Sequence, residues 1–147
     1  MNNLAIRLQP LIKLRKATRD ERRADLAKAY QAEQILQQRI DHIQTDIEQT
    51  RKDVHSMSEP GELNVDQILH GQRYEMLLKL QQREIEQQQE QLQVEVERRR
   101  QALIEADREL RVLEKLQEKK MAELLAHEQK LESRHLDEVA SRKYQWS

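Results

Sequence analysis

The stretch SMSEPGELNVDQ, residues 56–67, sets Pro60 and Gly61 side by side in a chain of 147 residues that has only 2 Gly and 2 Pro. Glu59, preceding a proline, is pushed out of the α region, and Gly61 tolerates positive φ. Upstream, Arg51, Lys52 and His55 suit the negative end of a helix dipole. Downstream, Asn64 is placed to cap a second helix, with Gln67 at the N3 position of a variant capping box. Leu63 and Ile68 stand at the two staple positions of that helix start. One helix ends here, a turn occupies 58–63, and another helix begins.

Composition says what kind of helices these are. Charged residues make up 36% of the chain, which has no Phe, one Trp and three Tyr, and the mean hydropathy is −1.01. Such a chain lacks the bulky apolar residues that fill a compact core. Glu, Gln, Lys, Arg, Leu and Ala dominate, and all keep rotamer freedom in a helix. Low hydropathy with high charge also describes disordered chains, so periodicity decides between the two.

Periodicity favours coiled coil. Before the turn, Leu36, Ile40, Ile43 and Ile47 recur at steps of four, three and four, and the series passes over Thr50 to Val54 and Met57. After it, Leu92, Val96, Leu103, Ala106, Leu110 and Leu113 repeat the pattern, with Arg99 interrupting one core slot. A narrow a/d stripe is the seam of a two- or three-helix coiled coil.

The expected fold is all-α, a long antiparallel two-helix coiled-coil hairpin forming a single domain over 1–147, with helix one at about 4–57 and helix two at about 64–143. Folding back about the Pro60-Gly61 bond pairs residues whose numbers sum to about 121. That arithmetic sets Leu36 against Ile85, Ile43 against Leu78, Ile47 against Tyr74, Ala29 against Leu92, Leu11 against Leu110 and Leu8 against Leu113. The arms are unequal, about 72 Å for residues 10–57 and about 118 Å for 64–143 at the helical rise. Helix two therefore overhangs, and Met121, Leu124, Leu125, Leu131, Leu136 and Val139 form a stripe with no partner in the chain.

Charge is unevenly spread. Residues 1–28 carry eight basic and three acidic side chains, 115–147 seven and six, and 29–114 eleven and eighteen, for a net of −1 overall. A nucleic-acid binder concentrates a larger excess. The Arg98-Arg99-Arg100 triplet is followed within ten residues by Glu105, Asp107 and Glu109, so nucleic acid is not an expected partner.

With no cysteine, disulfides, thiol catalysis and Cys-based zinc sites are excluded. His42, His55, His70, His127 and His135 show no compact ligand spacing, and no P-loop, dinucleotide or nucleophile-elbow motif is present. No enzyme activity, metal or cofactor is expected. The start MNNLAIRLQPLIKLRK lacks the order of a signal peptide, and no apolar run approaches the roughly 20 residues that cross a bilayer, so a soluble cytoplasmic protein is expected. Tyr74 and Leu78 have two readings: buried against Ile47 and Ile43, or, with a shifted register, turned to solvent beside His42 as a small binding patch.

The N-terminal RLQPLIKLRKATRDERRADLAKA, the break near residue 60 and the C-terminal LEKLQEKKMAELLAHEQKLESRHLDEVASRK together resemble the flagellar export protein family FliJ. The YscO-type stalk proteins of virulence type III secretion are its relatives. The resemblance implies a non-enzymatic stalk, similar to the two-helix stalk of the rotary ATPase gamma subunit. Such a stalk enters the pore of the hexameric export ATPase, promotes its assembly and activity, contacts the export gate protein FlhA, and handles export chaperones. It would work in the cytoplasm, peripherally at the inner membrane at the flagellar base. On this sequence the resemblance places ATPase contacts at Arg7, Leu8, Leu11, Leu14, Arg15, Leu136, Asp137, Glu138 and Ala140. It places gate contacts at Tyr74, Leu78 and His42, the last standing where an aromatic would fit. The alternatives are a generic cytoplasmic coiled-coil scaffold, self-associating through the exposed C-terminal stripe, or the equivalent stalk of a virulence type III secretion system.

Overall fold

A computed structural model of the chain describes residues 3–58 and 64–146. It is an all-α pair of long helices packed against each other, α1 at Asn3–Met57 and α2 at Val65–Trp146. Glu59, Pro60, Gly61 and Leu63, on which much of the turn reading rests, lie outside the described residues. The flanks of the turn are well defined. Ser58 closes α1, its N–H donating to the carbonyls of Val54 and His55 at 3.1 Å and its hydroxyl to Val54 at 2.7 Å. Asn64 opens α2: its Oδ1 accepts the Gln67 N–H at 3.4 Å and its carbonyl accepts the Ile68 N–H at 3.1 Å, satisfying donors that a helix start otherwise leaves free.

Pro10 lies inside α1. Having no N–H, it leaves the Ile6 carbonyl without its helical donor, a loss tolerated where Pro10 is exposed to water.

Along α2, shielded positions recur in alternating steps of three and four from Ile68 to Leu124. That is a 3.5-residue period held without a skip, as coiled-coil packing requires. Not every seam slot is apolar: Glu75, Gln82, Gln89, Arg99 and Gln117 occupy it too.

The chain divides into a unit of residues 23–101 and a unit of residues 1–22 with 102–147. In the first, α1 contributes Leu26, Ala29, Ile40, Ile43 and Ile47 and α2 contributes Leu78 and Val96 to the core. Ile43, Ile47 and Leu78 form one cluster, with Ile85 packed against it. Thr50, passed over in the sequence pattern, is also buried; its hydroxyl donates to the Asp46 carbonyl at 2.7 Å. The hydroxyl is satisfied locally, so the slot behaves as an apolar one. In the other unit Leu8, Ile12 and Leu110 form the core with Leu113 beside them, and Leu110 is the most deeply buried side chain at 1% exposure.

Contacts correct the register. Arg51 meets Glu75, Gln89 meets Gln37 and Val54 lies beneath Gly71 in one unit; Gln117 meets Gln9 and Arg15 meets Glu109 in the other. These numbers sum to between 124 and 126 instead of about 121. The shift of about four residues is one helical turn, which keeps the same stripe facing inward. Separately from the register, Leu11 is 38% exposed, and Ile12 packs beside Leu110 in its place.

Candidate partner-binding surfaces

The nine residues expected at the ATPase all belong to the unit built from the two chain termini. Arg7, Leu14, Leu136, Asp137, Glu138 and Ala140 are exposed, Leu14 and Leu136 at 60% and 61%. Arg15 is partly shielded and donates to Glu109 at 2.9 Å. Leu8 is buried in the core beside Ile12 and Leu110.

In this unit the seam ends before α2 does. Gln117 and Lys120 are partly shielded, Leu124 is the last such position, and every described side chain beyond it is exposed. Met121, Leu125, Leu131 and Leu136 lie 51–61% in solvent. A shallow groove lined by Ile6, Gln9, Gln117, Glu118 and Met121 marks where the α1–α2 contact gives out.

The three residues expected at the gate part company. Leu78 is 4% exposed inside the Ile43–Ile47 cluster, so of its two readings the structure has the buried one. Tyr74 is half exposed and lines an open groove with Thr50, Asp53, Val54, Met57, His70 and Gly71. His42 stands on the outer side of α1, its Nε2 3.7 Å from Asp46, and lines no part of that groove. The helical step of four puts Leu78 on the seam and Tyr74 just off it.

Gly71 explains the groove floor. A Cβ there would run into Val54 Cγ2, so the helices approach closely only because the side chain is missing. Beside it the Arg51 guanidinium, hydrogen-bonded to Glu75 and helped by Lys79, holds that carboxyl below its usual range. Further along, Arg99 fills its core slot without burying its charge: Nη1 donates to the Asp25 carbonyl at 2.7 Å and Nε to Glu95 at 2.9 Å. Arg100 donates to the Tyr30 hydroxyl at 2.9 Å, a bond that raises its guanidinium further above its ordinary range.

Among the described residues no group of His, Asp and Glu could hold a metal ion, and no helix is long and apolar enough to cross a membrane. What the molecule offers is helix faces: the fold and its surfaces define a two-helix coiled-coil protein. The sequence model described as flagellar FliJ protein matches residues 4–147, essentially the whole chain, and the chain belongs to the FliJ family. Membership ties it to flagellar protein export. No curated protein and no solved structure matches it.

Proposed function

We propose that the chain is a non-catalytic stalk of the flagellar type III export apparatus, acting on the export ATPase hexamer from within its pore and promoting its assembly and hydrolysis. The observation that carries this reading is the run of α2 beyond Leu124, a helix with Leu125, Leu131 and Leu136 exposed and no α1 alongside. A bare amphipathic helix loses stability in water and regains it in a partner's groove. Arg7, Leu11, Leu14 and Arg15 on α1 and Leu136, Asp137, Glu138 and Ala140 on α2 are the proposed ATPase contacts, with Leu8 holding α1 in place.

Tyr74 in its groove and His42 on α1 are proposed for the export gate protein FlhA, with Leu78 fixing the helix that carries Tyr74. Export chaperones are further partners, and the protein works at the cytoplasmic face of the inner membrane. The test is to titrate the purified protein into the export ATPase and follow hexamer content and hydrolysis. A rise in both is expected; no change across stoichiometries overturns the reading.

A further inference from the structure

The outer side of a coiled-coil helix is ordinarily polar, yet α2 is apolar there twice. Near its start Val65, Leu69, Met76 and Leu80 are 62%, 43%, 68% and 59% exposed, on the side away from α1. Near its end Met121, Leu125 and Leu136 are 52%, 57% and 61% exposed. Three of the four positions of the first stripe recur as apolar residues in the second, and the fourth, Met76, has Glu132 as its counterpart. Val65 and Met121, Leu69 and Leu125, and Leu80 and Leu136 are each separated by 56 residues, a whole number of heptads.

We propose that the two stripes bind each other between copies of this chain, the end of one α2 running parallel to the start of the next. In that register Val65 meets Met121 of a second copy, Leu69 meets Leu125 and Leu80 meets Leu136. The charges match as well. Arg73, on the flank of the first stripe, comes level with Glu128 and Glu132 of the second copy. None of these three has an ion pair in its own chain among the described residues. Both stripes belong to α2. The contact is heterologous: each copy offers a different stripe to each neighbour, and association extends copy by copy, each shifted by 56 residues along α2. This inference does not depend on the ATPase reading.

Sedimentation of the full chain tests it. The average mass of the wild type rises with concentration, and high salt reduces the rise because Arg73 faces carboxylates. Leu69→Glu spoils only the first stripe and Leu125→Glu only the second. Each variant alone is monomeric, with helical circular dichroism unchanged because both positions are exposed. An equal mixture forms a one-to-one complex that grows no further, since only one good pair of stripes remains. Arg73→Glu weakens association and Arg73→Glu with Glu128→Arg recovers it. A wild type of constant monomer mass, or a mixture that stays monomeric while the wild type associates, overturns the proposal.

Discussion

Replacing Gly71 by alanine sets two effects of known sign against each other. In a helix interior alanine is favoured over glycine by about 1 kcal/mol. Here, however, the new Cβ collides with Val54 Cγ2. Valine on a helix is held to one χ1 rotamer and does not swing aside, so the helices must part, at about 1–3 kcal/mol for overpacking. Gly71→Ala is therefore expected to destabilise by about 0–2 kcal/mol, the reverse of its effect on an isolated helix. A double-mutant cycle isolates the collision. Val54→Ala alone loses part of a half-buried side chain, about 1 kcal/mol. In that background the collision is gone and Gly71→Ala stabilises by its full helical gain, leaving a coupling of about 1–3 kcal/mol between the sites. Urea unfolding of the four proteins, followed by helical circular dichroism, measures it. If Gly71→Ala stabilises equally in both backgrounds, with coupling below about 0.5 kcal/mol, the close approach at Gly71 does not hold the helices together.

Other substitutions probe the seam. Arg99→Leu fills a core slot with an apolar side chain and is expected to leave stability unchanged or raise it by about 1 kcal/mol in thermal unfolding; a clear loss would show that the Asp25 bond is needed. Thr50→Val keeps the shape of a buried side chain whose hydroxyl bonds only its own helix, so the urea midpoint should stay or rise; a loss above about 1 kcal/mol contradicts the packing. Glu75 gives an acid dependence. Its carboxyl is held down by Arg51, so its contribution is complete above the ordinary carboxylate range and disappears as pH falls through the lowered value. Glu75→Gln should flatten that part of the stability–pH curve, and an unchanged curve would mean that Arg51 does not stabilise the folded state.

Much of the fold is legible in the residues because a heptad needs only spacing. Ile40, Ile43 and Ile47 announce the α1 stripe, and Asn64 with Gln67 announces the start of α2, through short-range rules. Register was less legible. It depends on where the turn residues place the second helix, and sliding one helix by a full turn returns nearly the same apolar stripe to the seam. The signals that fix it are polar and steric: Gln37 with Gln89, Arg51 with Glu75, and the missing side chain at Gly71 against Val54. Thr50 looks like a break in the stripe because polarity in the sequence does not show that its hydroxyl is satisfied within its own helix.

The surfaces divide along the same line. Leu14 and Leu136 are as open as a contact residue needs to be, whereas Leu8 and Leu78 serve the chain's own core. A leucine in a short motif does not reveal which way it faces, and a heptad position does so only when the register is known. The stripe beginning at Val65 carries a helical pattern but is exposed, outside the a/d seam.

The central proposal is that α2 beyond its contact with α1 acts on the export ATPase. The direct measurement compares the full chain with a chain ending at residue 120, both added to the purified ATPase. The hydrolysis rate and hexamer fraction are followed, and circular dichroism and urea unfolding confirm that the remaining helix pair is folded. Stimulation by the full chain and its loss in the folded, shortened chain is the predicted result; undiminished stimulation by the shortened chain would contradict it.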